Sequence, residues 1–436
     1  MDPEVLRRRL GGPLPATGAD PVEVVAALVE GCDPGLVATA GPRYFGFVVG
    51  GALPAALAAD WLVSAWDQNA GLSPLSPAVA VVEETAGRWL ADLFGLPAAV
   101  SFGFVTGGQA ANTVGLAAAR HHVLAAAGWD VADSGLNGAP RIRVLAGAQR
   151  HTTIDRALRL LGLGQRAIEA IETDGQGAMD PSRLEAALEP REGPVIVCAQ
   201  AGNVNTGACD DLAAVCEAAH HAGAWVHVDG AFGLWAAASP HRRHLVAGLE
   251  AADSWATDAH KWLNVPYDCG VVFCRHPGDH AAAMTMTASY LQRSDGEMRE
   301  PADWNPESSR RARSVPVYAA LRALGREGVV ELVERCCALA RRFAGRLDAG
   351  GAVVGNQVVL NQVLVSFGSD ERTRAVIDGV QRDGTLWAGG TVWNGRAWMR
   401  LSLSNWSTTE EDVDRAARAI LRVAADVDLT AAPPQA

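Results

Sequence analysis

Two pieces of the chain decide how it is read: Trp225-Val226-His227-Val228-Asp229-Gly230-Ala231-Phe232-Gly233 and Asp253-Ser254-Trp255-Ala256-Thr257-Asp258-Ala259-His260-Lys261-Trp262-Leu263. The first is a short β-branched and aromatic run ending in a carboxylate and a glycine, which suits a buried parallel strand with its charge at the end. The second is a strand-like run broken by polar residues and closed by a lysine. Asp229 and Lys261 therefore stand at two expected strand ends, 32 residues apart. A carboxylate at such a place needs a cationic partner. A lysine between Ala259 and Trp262 is partly desolvated, which lowers its basicity and makes it a nucleophile toward an aldehyde. Read alone, Lys261 serves equally as a lysine snorkelling at a strand end. Asp229 likewise reads as a cap for the segment after it.

Working outward, the chain from residue 100 onward alternates short apolar runs with helical spacing, which implies βα units and a parallel sheet. Phe102 to Thr106 reads as a strand leading into Gly107-Gly108-Gln109 and an alanine-rich helix. Small residues at a helix start let backbone N–H groups approach a phosphate. The Gly-x-Gly-x-x-Gly dinucleotide pattern is missing at that junction. Further strands are expected at about 141–146, 167–171 and 194–199, with helices at about 181–189 and 210–222. Before residue 100, Asp20-Pro21 opens a helix over 22–30 as N-cap and first-turn proline. Helical spacing recurs at 52–66 and 77–94. Residues 284–306 have no period and read as a mobile loop. A long helix follows to about 347, and the remainder reads as a small α+β unit. The expected division is 1–75, an N-terminal segment; 76–310, a large domain; and 311–436, a small C-terminal domain.

Composition limits the function. Of 436 residues, 49% are hydrophobic and 20% charged, close to ordinary globular usage. The net charge of −12 argues against a nucleic-acid partner, which needs a basic face. Gly, Pro, Asp or Arg interrupts every apolar run before a bilayer-spanning length, and no signal core is visible, so a cytoplasmic chain with no membrane partner is expected. None of the eight cysteines forms a Cys-x-x-Cys pair, so they read as buried thiols and no metal site is expected.

The motifs His227-Val228-Asp229-Gly230-Ala231 and Ala259-His260-Lys261-Trp262 resemble those of the pyridoxal-phosphate-dependent amino-acid decarboxylases of the glutamate and aromatic-amino-acid type. The resemblance covers about residues 40 to 425. It implies an α/β fold-type-I architecture, with a large mixed, mostly parallel seven-stranded sheet and a small C-terminal domain. It also implies a homodimer with the active site at the subunit interface. Pyridoxal phosphate would bond to Lys261 as a Schiff base, and Asp229 would keep the pyridine nitrogen protonated. At about 4 Å and an effective dielectric near 20 that ion pair is worth roughly 4 kcal/mol. By the same resemblance Ala231 lies on one ring face and His151 stacks on the other. Gly107, Gly108 and Gln109 form the phosphate loop, with Thr257 and His260 nearby, and Asn203 and Asn205 lie near the ring oxygen and carboxyl. Where Asp258 stands the family more often carries Asn, and a carboxylate beside a phosphate is unfavourable.

Tyr290, 29 residues after Lys261, resembles the family tyrosine that returns a proton after CO2 leaves; members with Phe there turn to oxidative deamination. Arg400 corresponds to an arginine that meets a substrate carboxylate or serves structure alone. The cluster Tyr44, Phe45 and Phe47, with Trp66, Trp393 and Trp398, hints at an aromatic substrate, although aromatic residues at such spacing are more often core. The implied reaction is decarboxylation of an L-amino acid to its amine. An aminotransferase, a decarboxylating oxidative deaminase, a nucleotide-binding oxidoreductase using the Gly107-Gly108 turn, and a silent cofactor-binding partner remain as alternatives.

Overall fold

The structure, a computed structural model, describes residues 3–189, 193–286 and 299–431. Seven short apolar runs become the strands of the larger sheet: β1 (Ser101–Val105), β2 (Arg143–Gly147), β3 (Ile168–Ile171), β4 (Val195–Gln200), β5 (Trp225–Asp229), β6 (Ser254–Asp258) and β7 (Gly270–Cys274). Their spatial order is β1-β7-β6-β5-β4-β2-β3. Strands β2 to β6 pair in parallel, and β7 runs antiparallel between β6 and β1. Every residue of β1, β4, β5, β6 and β7 is buried. That is why these strands read as continuous apolar runs, since helices cover both faces of the sheet. The mixed seven-stranded sheet expected from the sequence is present.

A second, antiparallel sheet contains β8 (Val353–Val354), β9 (Gln362–Ser366), β10 (Gly389–Trp393) and β11 (Arg396–Ser402), in the order β10-β11-β9-β8. The helix Ser314–Ala349 joins the two sheets, with a break at Gly325, where φ is +62°. Its residues Val317 to Cys337 lie in the core beneath the large sheet, and Leu339 to Leu347 lie in the core of the small one. Phe45 also belongs to that second core, edge-on to Phe343 at 5.2 Å. The expectation that Phe45 meets substrate is therefore corrected: its ring fills a hole in the small core. Trp393 and Trp398 are corrected in the same way, because they pack with Leu364 as a separate buried cluster.

The segment carrying Lys261 is a turn rather than a strand end, since β6 stops at Asp258, three residues earlier. Two features hold this turn. Asn264, at φ +57°, accepts from the Gly51 and Trp406 N–H groups and donates to the Trp262 and Ser404 carbonyls. Gly50 lies so close that a Cβ there would sit 2.0 Å from the Lys261 carbonyl oxygen, which only glycine allows. The N-terminal segment and the C-terminal unit thus converge on the lysine turn.

A buried ion cluster ties the helix Pro77–Phe94 to the chain after residue 298. Glu83 meets Arg310 at 2.6 Å and Arg299 at 3.0 Å, and the Arg299 guanidinium lies over the Phe102 ring at 4.3 Å. Burial lowers the Arg299 pKa, with Glu83 acting the other way. Removing one member of such a cluster strands the others in a dry interior. Glu83→Ala should cost about 3–5 kcal/mol of stability, read from the urea midpoint. A loss below about 1 kcal/mol would show the arginines finding other partners.

Candidate active site

Parallel strands deliver side chains to their carboxyl ends, where open α/β sheets place ligands. Here Gln200 ends β4, Asp229 ends β5 and Asp258 ends β6, with Gln200 and Asp229 paired in register. His151 follows β2 as the N-cap of the helix Thr152–Leu160, accepting from the Thr153 N–H at 3.3 Å. Its own N–H donates to Gln200 Oε1 at 3.1 Å. Burial lowers the His151 pKa; the Asp229 charge opposes this, Lys261 and Arg400 lower it further, and Asp258 opposes. Asp229, Lys261, Arg400 and Asp258 therefore all gather around one imidazole.

Asp229 is buried, and its Oδ2 accepts from Asn112 Nδ2 at 3.1 Å and Thr153 Oγ1 at 3.3 Å. Oδ1 takes only the Ala231 N–H, also at 3.3 Å. Lys261 Nζ lies 2.7 Å from Asp258 Oδ2, with its side chain 22% exposed toward the site. Asp258 Oδ1 accepts the Gly108 N–H at 2.5 Å, at the start of the helix Gly108–Ala126. A Cβ on Gly108 would lie 2.9 Å from that carboxylate, so glycine lets Asp258 reach the helix start. Asp258 thus bridges the lysine and the glycine turn, a role the sequence reading did not give it.

The other expected residues fall into two groups. His260 accepts the Cys269 N–H at 3.0 Å, and Tyr267 covers its ring at 4.4 Å between centroids. Tyr44 stacks on Trp387 at 5.0 Å. Arg400, on β11, donates to the Val204 carbonyl at 3.3 Å, and among the described residues no carboxylate forms an ion pair with it. Gln109 donates to the Thr153 carbonyl at 3.2 Å. These side chains border the site. In contrast, Asn203 turns inward: its Oδ1 accepts the Asn205 and Thr206 N–H groups, and its Nδ2 donates to the Gln149 carbonyl. Asn205 accepts from Thr391, and Thr257 lies 3.5 Å from the Ala231 carbonyl. Asn203, Asn205 and Thr257 thus build loops and strand ends around the site. Tyr290 lies outside the described residues.

Residues 14–367 match the pyridoxal-dependent decarboxylase conserved domain. The chain belongs to the pyridoxal-dependent decarboxylases. It is 28% identical over 442 residues to tryptophan decarboxylase 1 of Oryza sativa subsp. japonica, covering 94% of this chain and 85% of that protein. It is 34% identical over 287 residues to L-2,4-diaminobutyrate decarboxylase of Rhizobium meliloti (strain 1021), covering 64% of this chain and 55% of that protein. Among solved structures it is similar to Oryza sativa TDC with PLP and tryptamine: TM-score 0.90, 26% identity, 98% of this chain and 92% of that one. As a member of this decarboxylase family the chain is an amino-acid carboxy-lyase that uses pyridoxal phosphate.

The residues present fit that cofactor. Lys261 is the sequence's one lysine beside 36 arginines, so a single side-chain amine is on offer to an aldehyde. At Asp229 the inner oxygen is occupied by two donors and the other is left with one long contact, which suits a ring N–H. At the glycine turn Asp258 takes the Gly108 N–H and sets a carboxylate against that helix start, so a phosphate there would be left with the N–H groups that follow. Asn112, Thr153, Gln200 and Tyr267 were not anticipated as site residues. Asn112 alone carried a signal, standing one helical turn after Gly108.

Asp229→Ala removes the anionic acceptor and leaves Asn112 and Thr153 without it. Cofactor retention through dialysis should weaken by about a thousandfold, since a roughly 4 kcal/mol pair is lost. Retention equal to the native protein would exclude Asp229 as the ring partner.

Proposed function

We propose that the chain decarboxylates an L-amino acid with an aromatic side chain to the corresponding amine, as a cytoplasmic homodimer. The observation that carries the reading is the meeting of its one lysine, a buried carboxylate and an arginine with no carboxylate partner among the described residues around His151 at the sheet's carboxyl edge. The aromatic preference is supported by Tyr267, 58% exposed over His260 with Tyr44 near it, and by the relative named for tryptophan. The diaminobutyrate relative is the counterweight.

When bound, pyridoxal phosphate supplies a protonated ring that takes up the electron pair left by the departing carboxylate. Asp229 holds the proton on that ring through Oδ1. Lys261 provides the amine that carries the cofactor and yields to substrate, and Asp258 sits ready to take up its proton. His151 and Ala231 would hold the cofactor ring between them. Gly107, Gly108, Gln109 and His260 frame the phosphate end. Arg400 orients a substrate carboxylate by charge-assisted hydrogen bonding. Tyr290 returns the proton to carbon, and its hydroxyl favours the amine as product.

For the dimer, the support is apolar surface. Val22, Val25, Leu28 and Val29 of the helix Pro21–Cys32, with Trp61 and Trp66 of the helix Pro54–Trp66, are each half exposed or more. Each helix thus carries exposed apolar side chains of the kind a subunit interface covers. The division into an N-terminal segment (1–75), a cofactor domain (76–310) and a small domain (311–436) belongs to the same reading. For the compartment, all eight cysteines are free thiols, and no described helix is long and apolar enough to cross a membrane.

Incubation of the holoenzyme with the twenty L-amino acids tests the reaction. Equimolar CO2 and amine are expected, fastest from an aromatic substrate. A keto acid without CO2 would make it an aminotransferase, and aldehyde with peroxide would make it an oxidative deaminase. A basic substrate preferred by tenfold or more would overturn the aromatic assignment.

A further inference from the structure

Trp225, His227 and Asp229 alternate along β5, so their side chains share one face of the strand. That face lies under the helix Gly108–Ala126, in which Asn112 and Gly115 project toward it. A Cβ on Gly115 would stand 2.7 Å from His227 Cε1, so the imidazole lies directly on the helix backbone. On the neighbouring strand, Ser254 is in register with His227.

These residues form one unbroken chain of hydrogen bonds. The Trp225 indole N–H donates to Ser254 Oγ at 2.9 Å, and Ser254 Oγ lies 2.8 Å from His227 Nδ1. His227 Nε2 lies 2.9 Å from Asn112 Oδ1, and Asn112 Nδ2 donates to Asp229 Oδ2 at 3.1 Å. A carboxylate can only accept, so Asn112 turns its oxygen to His227 and Nε2 must carry a hydrogen; Ser254 accepts from the indole and, with the ring neutral, donates to Nδ1. Burial pushes the His227 pKa down to about 4, with the Asp229 charge opposing, so the ring is neutral at working pH. Ser254, His227 and Asn112 are buried, and nothing in the proposed reaction uses Trp225, Ser254 or His227 directly.

We propose that His227 is a positioning residue for Asp229: through Asn112 it locks an N–H onto the inner carboxylate oxygen, which keeps Asp229 ionised and leaves the proton on the cofactor ring nitrogen. The inference rests on the reading of Asp229 as the partner of that nitrogen. Without the His227 N–H, the Asn112 oxygen loses its donor, and the amide is held only through Nδ2, by Asp229 and by Thr153 Oγ1 at 3.1 Å. It can turn its oxygen toward Asp229, raising the carboxylate's basicity and drawing the proton from ring nitrogen to Oδ1.

The test is nitrogen NMR of the full-length protein reconstituted with pyridoxal phosphate carrying a 15N-labelled ring, at neutral pH. The native protein should show the ring nitrogen protonated. In His227→Phe, which keeps a ring but has no nitrogen, the resonance should move toward the unprotonated position and cofactor affinity should fall about tenfold. His227→Gln, which offers an N–H donor again, should restore both. Where His227→Phe does not fold, the smaller His227→Ala, which also has no donor, is read in the same way. A folded His227→Phe or His227→Ala protein with an unmoved resonance and native affinity overturns the inference, because a merely structural role would lower stability alone. Asp229→Asn serves as the reference. If it too leaves the resonance unmoved, the reading of Asp229 fails; if it moves the resonance and His227→Phe does not, only the role of His227 fails.

Discussion

A carboxylate buried at the end of a central parallel strand is costly unless it is fully engaged, and Asp229 sets the terms for much of what surrounds it. Its inner oxygen is met by Asn112 from the helix after β1 and by Thr153 from the helix after β2. Those donors fix how the two helices seat on the sheet. Thr153 also contacts His151, its Oγ1 standing 2.9 Å from Nδ1, so the imidazole and the carboxylate are positioned by the same hydroxyl. The outer oxygen is left to a cation or an N–H donor arriving from the cleft.

The second constraint is the lysine turn. Lys261 is placed by Gly50 and Asn264, which bring the N-terminal segment and the C-terminal unit to the same few residues. The position of one reactive amine therefore depends on three parts of the chain far apart in sequence. Asp258 adds a local hold, pairing with the amine and capping the glycine turn. Departure of the lysine's charge would leave Asp258 with the Gly108 N–H and the His260 imidazole, whose Nε2 stands 3.5 Å away.

The sheet was legible because parallel strands buried on both faces leave uninterrupted apolar runs, and the helices Pro54–Trp66 and Pro77–Phe94 were legible from their apolar spacing. β10 was not seen, since its half-exposed Gly389-Gly390-Thr391 start carries no apolar signal. At the site, Asp229 closes a buried strand as expected, whereas Lys261 was expected at a strand end and lies in a turn; the roles proposed for both come from the motif. Phe45 was expected at the substrate and turns into the small core, because sequence gives a side chain's type but not its direction; Trp393 follows the commoner core reading of such aromatics, and Asn203 is engaged within its own loop. His227 and Asn112 were missed for a different reason. They are 115 residues apart, and their pairing exists only once helix and strand are stacked.

Because the sequence holds one lysine, the proposed attachment of the cofactor can be tested with little ambiguity. Borohydride reduction of the holoenzyme, followed by protease digestion and mass mapping, should place a single phosphopyridoxyl group on the peptide containing Lys261. A label confined to the N-terminal amine, or none on a protein that still carries the cofactor, would contradict the assignment of Lys261 and the reading of the site built around it.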